Sequence, residues 1–147
     1  MEAHMSVKDI LSTKGNKVIS IEEDARLREA ISLLNANNIG VVLVTDPEGD
    51  LKGILSERDI IRRALAQETG FRDEPVRKTM TRKVECVSPE TSVDQVMDIM
   101  TNKRIRHVPV LDSGQLVGLV SIGDVVKKKL ADHAQEVAHL HDYIATG

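Results

Sequence analysis

Aromatic side chains are almost missing from this sequence: Phe71 and Tyr143 are the only two, and there is no tryptophan. Proteins that grip single-stranded nucleic acid stack its bases on aromatic rings, so that function has little to stand on here. One cysteine, Cys86, excludes an internal disulfide and suits a reducing compartment. Positive charge is not in excess either: 20 Lys and Arg stand against 23 Asp and Glu, a net charge of −3, with no general pull toward nucleic acid or an anionic membrane. No apolar run approaches the roughly 20 residues needed to cross a bilayer. The N-terminal stretch has no apolar core of the signal-peptide kind. The cytoplasm is the expected location, with neither nucleic acid nor membrane as partner.

Several chemistries lack their residues. There is no Ser–His–Asp arrangement, no phosphate-binding glycine loop before a Lys, and no cysteine pair at zinc spacing. His139 and His141 are two apart, on different faces of a helix, and cannot chelate together. No catalytic residue and no metal ligand is expected.

What the sequence does have is a duplication. The stretch VISIEEDARLREAISLLNANNIGVVLVTD from Val18 returns as VECVSPETSVDQVMDIMTNKRIRHVPVLD from Val84. Val18, Ile39, Val42, Val44 and Asp46 fall on Val84, Ile105, Val108, Val110 and Asp112. One residue shorter in the turn, GDLKGILSERDIIRRAL from Gly49 then falls on GQLVGLVSIGDVVKKKL from Gly114. A short prefix repeats as well, VKDIL from Val7 and VRKTM from Val76. Internal repetition on this scale defines the architecture before any single motif does.

Each copy predicts the same elements. An extended piece (Val18 to Ile21; Val84 to Val87) precedes a helix with apolar residues at helical spacing, Leu27, Ala30, Ile31 and Leu34 or Val93, Val96, Met97 and Met100. A β-branched strand follows (Val41 to Val44; His107 to Leu111), then a Gly-containing turn, a second strand, and a helix starting near Ser56 or Ser121. One copy has too few strands to bury its apolar face alone; two back to back can. Residues 68–75 read as the connector, and residues 131–144 as a further helix with Val137, Leu140 and Ile144 on one stripe. The units so drawn are an N-terminal segment (1–17), the first repeat (18–68), a linker (69–83), the second repeat (84–130) and a helical tail (131–147). Cys86, in the inferred strand, reads as a buried, inert thiol.

The site-bearing motif is Gly-φ-φ-Ser-x-x-Asp, at Gly53 to Asp59 and again at Gly118 to Asp124. A Ser followed three residues on by a carboxylate is also a capping box, which closes the free N–H groups at a helix start. The functional reading uses the same place: a helix N-terminus attracts phosphate, and a carboxylate accepts hydrogen bonds from both ribose hydroxyls. Two matches in register within a duplication favour a site.

On these residues the chain resembles the tandem cystathionine-β-synthase (CBS) domain pair, or Bateman module, over nearly its whole length. The resemblance rests on IGVVLV and IRHVPVLD followed by GILSERD and GLVSIGD. It implies an α+β fold of two β-α-β-β-α repeats related by a pseudo-two-fold axis, with a C-terminal helix, and clefts that take AMP, ATP, S-adenosylmethionine or an NAD-type dinucleotide. Position by position, it implies that Asp59 and Asp124 hold ribose and that Ser56 and Ser121 approach phosphate. Val18 and Ile19 would meet adenine in the Asp124 cleft, and Val84 and Glu85 in the Asp59 cleft. The starts of the longer strands, Ile39–Gly40 and Ile105–Arg106–His107, would face phosphate, with Gly40 departing from the basic pattern that Arg106 fits. Arg58 and Gly123 lie inside the two motifs. Arg106 is expected beside Asp124, which makes the Asp124 cleft the tighter one.

The function so implied is a sensor of adenylate or energy state, not an enzyme, acting as a homodimer on a separate regulated partner. Two other classes are weighed against it. An enzyme acting on a nucleotide needs a base or nucleophile, and both Asp residues are committed to ribose. A structural scaffold with vestigial clefts would use the Ser/Asp pairs only as caps.

Overall fold

A computed structural model describes residues 5–66 and 69–146, with side chains as far as residue 134. The elements run α1 (Val7–Lys14), β1 (Ser20–Glu22), α2 (Leu27–Asn37), β2 (Val41–Thr45), β3 (Leu51–Ser56) and α3 (Glu57–Leu65), then two short 3-10 turns (Phe71–Asp73 and Val76–Lys78). The second copy follows with α4 (Val93–Lys103), β4 (His107–Asp112), β5 (Gln115–Ser121) and α5 (Ile122–Thr146). In the first sheet β1 pairs parallel with β2, and β2 antiparallel with β3; the second sheet pairs β4 with β5. Both hairpins shift register at the same place, between Val44 and Thr45 and between Val110 and Leu111.

The second copy loses its first strand, and a proline explains why. In the first copy the Leu43 N–H donates to the Ile19 carbonyl at 3.2 Å. Leu43 corresponds to Pro109, which has no N–H to give. The Val84–Val87 stretch therefore meets β4 only at its far end, where Val87 and Val110 form a single bridge. Val87 donates to the Pro109 carbonyl at 3.0 Å and accepts from Leu111 at 2.8 Å. Of the expected extended piece only Val87 pairs with β4.

Each copy buries its apolar stripe in its own core, but the prefixes are exchanged. Val7, Ile10 and Leu11 of α1 belong to the core around Val93, Val96, Val108, Val110 and Val120 of the second copy. Val76 and Met80 complete the core around Leu27, Leu34, Val42, Val44 and Leu55 of the first. Backbone bonds follow the same crossing. Ser6 bridges Ser92 at the start of α4, and Pro75 bridges Arg26 at the start of α2. The boundaries drawn from the sequence thus separate each prefix from the body that buries it. Full burial of an aliphatic side chain is worth ~1.5–3 kcal/mol, so three such residues hold α1 on the second copy.

The expected C-terminal helix over residues 131–144 is present, as the continuation of α5, which runs unbroken over 25 residues. Nothing between Leu130 and Asp132 breaks a helix, neither Gly nor Pro. The stripe of Val137, Leu140 and Ile144, and the side chains of His139 and His141, lie outside the described side chains.

Candidate functional site

Both Ser/Asp pairs form reciprocal helix caps. Ser56 Oγ accepts from the Asp59 N–H at 3.1 Å, while the Ser56 N–H donates to Asp59 Oδ2 at 2.9 Å. Ser121 and Asp124 repeat this at 3.1 and 2.9 Å. The caps use one carboxylate oxygen of each Asp. The other points of contact differ between the copies.

At Asp59 the second oxygen, Oδ1, accepts among the described residues only from the Thr81 hydroxyl, at 3.3 Å. Beside it opens a cavity of about 430 Å³, within the size range of small-ligand sites. The first copy supplies Gly40, Val41, Ile54 and the turn from Ser56 to Asp59. The second supplies Thr81, Lys83, Val84 and Glu85, together with Arg104 to His107. The structure thus brings Val84 and Glu85 together with Asp59. It also brings Arg106 and His107 there, although Arg106 was expected beside Asp124. The main chain of Arg106 does abut the second cap, since its carbonyl accepts the Ile122 N–H at 2.8 Å. Arg106 nonetheless lines the Asp59 cavity. Val18, Ile19, Ile39, Ser121, Gly123 and Asp124 are not part of the cavity lining.

The cavity is lined by four cations and by the carboxylates of Glu57, Asp59 and Glu85. Arg58, Lys83, Arg104 and Arg106 line it, and none has a carboxylate partner among the described residues. Of its acidic residues, Glu85 is already approached by Lys103 at 3.8 Å. Gly40 leaves room: a Cβ there would meet nothing nearer than Glu57, at 3.9 Å. Arg104 caps α4 in the left-handed region at φ 55°, where the first copy has Asn38 at φ 52°. Asparagine is at home there; arginine is not.

At Asp124 a cation is already in place. Lys14, the last residue of α1, donates to Asp124 Oδ2 at 2.6 Å and to the Leu119 carbonyl at 2.9 Å. Burial pushes the Asp124 carboxyl up, but hydrogen bonds from Lys14 and from the Ser121 N–H outweigh it and hold the group below the usual carboxylate value. His107 lies half-buried between the two sides. Burial, with Lys14 and Arg106 nearby, pushes its imidazole below the ordinary histidine value, opposed by Asp124. Cys86 is half-buried, and burial with the neighbouring Glu85 raises its thiol further, as suits an unreactive group. Lys14 went unnoticed in the sequence; the available signal was the link after the prefix, six residues from 12 to 17 against three from 81 to 83.

A duplicated unit with exchanged prefixes and paired Ser/Asp caps defines a tandem-repeat module, and comparison gives its family. The CBS domain model matches residues 7–66 and 76–131, and the chain belongs to the CBS-domain family. It is 33% identical over 97% of its length to the mitochondrial CBS domain-containing protein CBSX3 of Arabidopsis thaliana, covering 73% of that protein. It is 31% identical to the CBS domain-containing protein YhcV of Bacillus subtilis, over 88% of this chain and 89% of that one. Among solved structures, the CBS-domain containing protein ATU1752 from Agrobacterium tumefaciens is 41% identical with a TM-score of 0.81, over 85% of this chain and 99% of that one. The CBS domain pair of protein MJ0100, solved in complex with 5′-methylthioadenosine and S-adenosyl-L-methionine, is 30% identical with a TM-score of 0.75, over 88% and 99% of the two chains. No described helix is long and apolar enough to cross a membrane.

Proposed function

We propose that the chain is a non-catalytic sensor module that takes an adenine nucleotide in the Asp59 cavity and acts on a separate protein. The observation that carries this reading is the Asp59 carboxylate facing four cations that have no carboxylate partner among the described residues, around a cavity between the repeats. A carboxylate suits the ribose diol, and the cations suit phosphate. Adenine would lie against Val84 and Glu85, whose main chain Pro109 leaves without a strand partner. The related MJ0100 pair, with its adenosine-containing ligands, supports the nucleoside part. The four cations without carboxylate partners favour AMP, ATP or an NAD-type dinucleotide over S-adenosylmethionine, which is itself a cation at sulfur.

The module is proposed to work as a homodimer. Ile61, Leu65, Val126 and Leu130 are large apolar residues left exposed, and they occupy equivalent positions on α3 and α5. Ligand binding changes the output only through different affinities for two states of this module or its complex.

A thermal-shift panel with AMP, ADP, ATP, NAD and S-adenosylmethionine tests the reading, beside Asp59→Ala. A ligand that binds only the folded chain raises its melting temperature by mass action. A rise with a phosphate-bearing adenine compound, lost in Asp59→Ala, is the expected result. No rise with any of them, in a chain that melts cooperatively, would favour a scaffold whose Ser/Asp pairs are caps and nothing more.

A further inference from the structure

We infer that Lys14 closes the Asp124 cleft from within, so that the module takes one nucleoside ligand per chain until that contact is broken. The inference rests on the ligand-binding reading above and reverses the ranking of the clefts that the sequence suggested.

The two Asp residues are equivalent by sequence and by cap geometry, yet they meet different partners from their exchanged prefixes. Asp59 is met by the Thr81 hydroxyl at 3.3 Å, a neutral and long contact. Asp124 is met by the Lys14 ammonium at 2.6 Å. A ribose diol can replace a hydroxyl on a carboxylate with little loss. Replacing an ammonium costs the ion pair, and leaves the cation to be resolvated. The difference originates in the chain lengths of the links. Leu11 and Met80 are equivalent prefix residues, and both pack against the glycine of a motif strand, Gly118 and Gly53. Beyond Met80 the chain needs only residues 81–83 to reach Val84, whereas residues 12–17 lie between Leu11 and Val18. The longer link continues α1 to Lys14, which shares a helix face with Ile10 and Leu11.

Lys14 is therefore aimed by the core and not by its own ion pair. Ile10 and Leu11 are buried in the second copy, and a Cβ on Gly118 would stand 2.7 Å from Leu11 Cδ2. The ammonium also donates to the Leu119 carbonyl on β5, which fixes it beside the cap. Removing the Lys14 charge leaves α1 docked and takes the ammonium off Asp124 Oδ2, the oxygen that also accepts the Ser121 N–H.

Isothermal titration of the full chain with AMP, and in parallel with adenosine, tests this. Adenosine carries the ribose but no phosphate, so its binding reads release of the carboxylate without any attraction between Lys14 and phosphate. The wild-type chain is expected to take one equivalent and Lys14→Met two. Asp59→Ala added to Lys14→Met is expected to leave one. Two equivalents in the wild type, or one in Lys14→Met, would overturn the inference. Acetic anhydride labelling reads the contact without any ligand: Lys14 is expected to react several-fold more slowly than the exposed Lys17, and Asp124→Asn to remove the difference. Equal labelling of Lys14 and Lys17 in the wild type would also overturn it. Absence of binding to every variant would count against the ligand-binding reading, and the labelling result would then decide the Lys14 contact by itself.

Discussion

Gly53 lies so close to the chain entering the second repeat that a Cβ on it would stand 2.7 Å from the Thr81 carbonyl oxygen. The closeness is enforced by two backbone hydrogen bonds between Ile54 and Thr81, at 3.0 and 2.8 Å. Gly53→Ala must push main chain against main chain, and overpacking of this kind costs ~1–3 kcal/mol. Gly118→Ala meets only the end of the Leu11 side chain, which can turn aside. Urea unfolding is expected to show the larger loss in Gly53→Ala. The opposite order would mean that α1 is held more rigidly than the second prefix.

Arg104 is expected to show a conflict between stability and binding. Its left-handed backbone at φ 55° costs a residue with a Cβ ~1–2 kcal/mol, offset in part by ~0.3–1 kcal/mol from a cation at a helix C-terminus. Glycine removes the strain and the charge together. Arg104→Gly should therefore unfold at the same or slightly higher urea concentration, while its affinity for ATP falls about tenfold or more, the scale of one charge-assisted hydrogen bond. Adenosine, with no phosphate, should bind unchanged. Loss of adenosine binding in Arg104→Gly would show that the residue shapes the cavity and does not contact phosphate.

His107 predicts a pH dependence of definite sign. Its folded value lies below the ordinary 6.5, so below that pH the unfolded chain takes up a proton the folded chain refuses. Stability is full above the ordinary value and falls as pH drops toward the folded one. Asp124 acts in a lower window, because its carboxyl is held below the usual 3.8; its contribution is present above that pH and lost beneath it. Between pH 7 and 5.5, then, the urea midpoint is expected to fall, and His107→Gln to flatten the fall. An unchanged slope in His107→Gln would place the titrating group elsewhere.

The duplication made most of the fold legible, because each strand and helix was read twice. Both motif helices start at Ser56 and Ser121 as the Ser-x-x-Asp spacing required, and Leu27, Ala30 and Leu34 are buried as their spacing implied. The exchange of prefixes was not legible. VKDIL and VRKTM are amphipathic in either arrangement, and periodicity does not say which core receives them. Pro109 did carry a readable signal, since proline in a strand removes one ladder bond. Arg106 was assigned by its own repeat, whereas a pseudo-two-fold arrangement lets one residue serve the cap of its own repeat through its carbonyl and still line the cleft at the other cap.

The exposed residues on α3 and α5 test the dimer. Leu65 is 73% exposed and Leu130 64%, with Ile61 and Val126 one turn earlier on the same helices. No residue of α3 is fully buried within the chain, so this helix gains little from its own core and has an apolar face left to cover. Burying such a face against a second copy would contribute ~1.5–3 kcal/mol for each large side chain taken out of water. Leu65→Glu places a charge where that contact forms, and it disturbs nothing buried in the single chain. Sedimentation at micromolar concentration is expected to give a dimer for the wild type and a monomer for Leu65→Glu with Leu130→Glu. The cooperative unfolding of each chain should survive in that variant. A wild type that sediments as a monomer would leave these residues as the docking face for a different protein, the regulated partner itself.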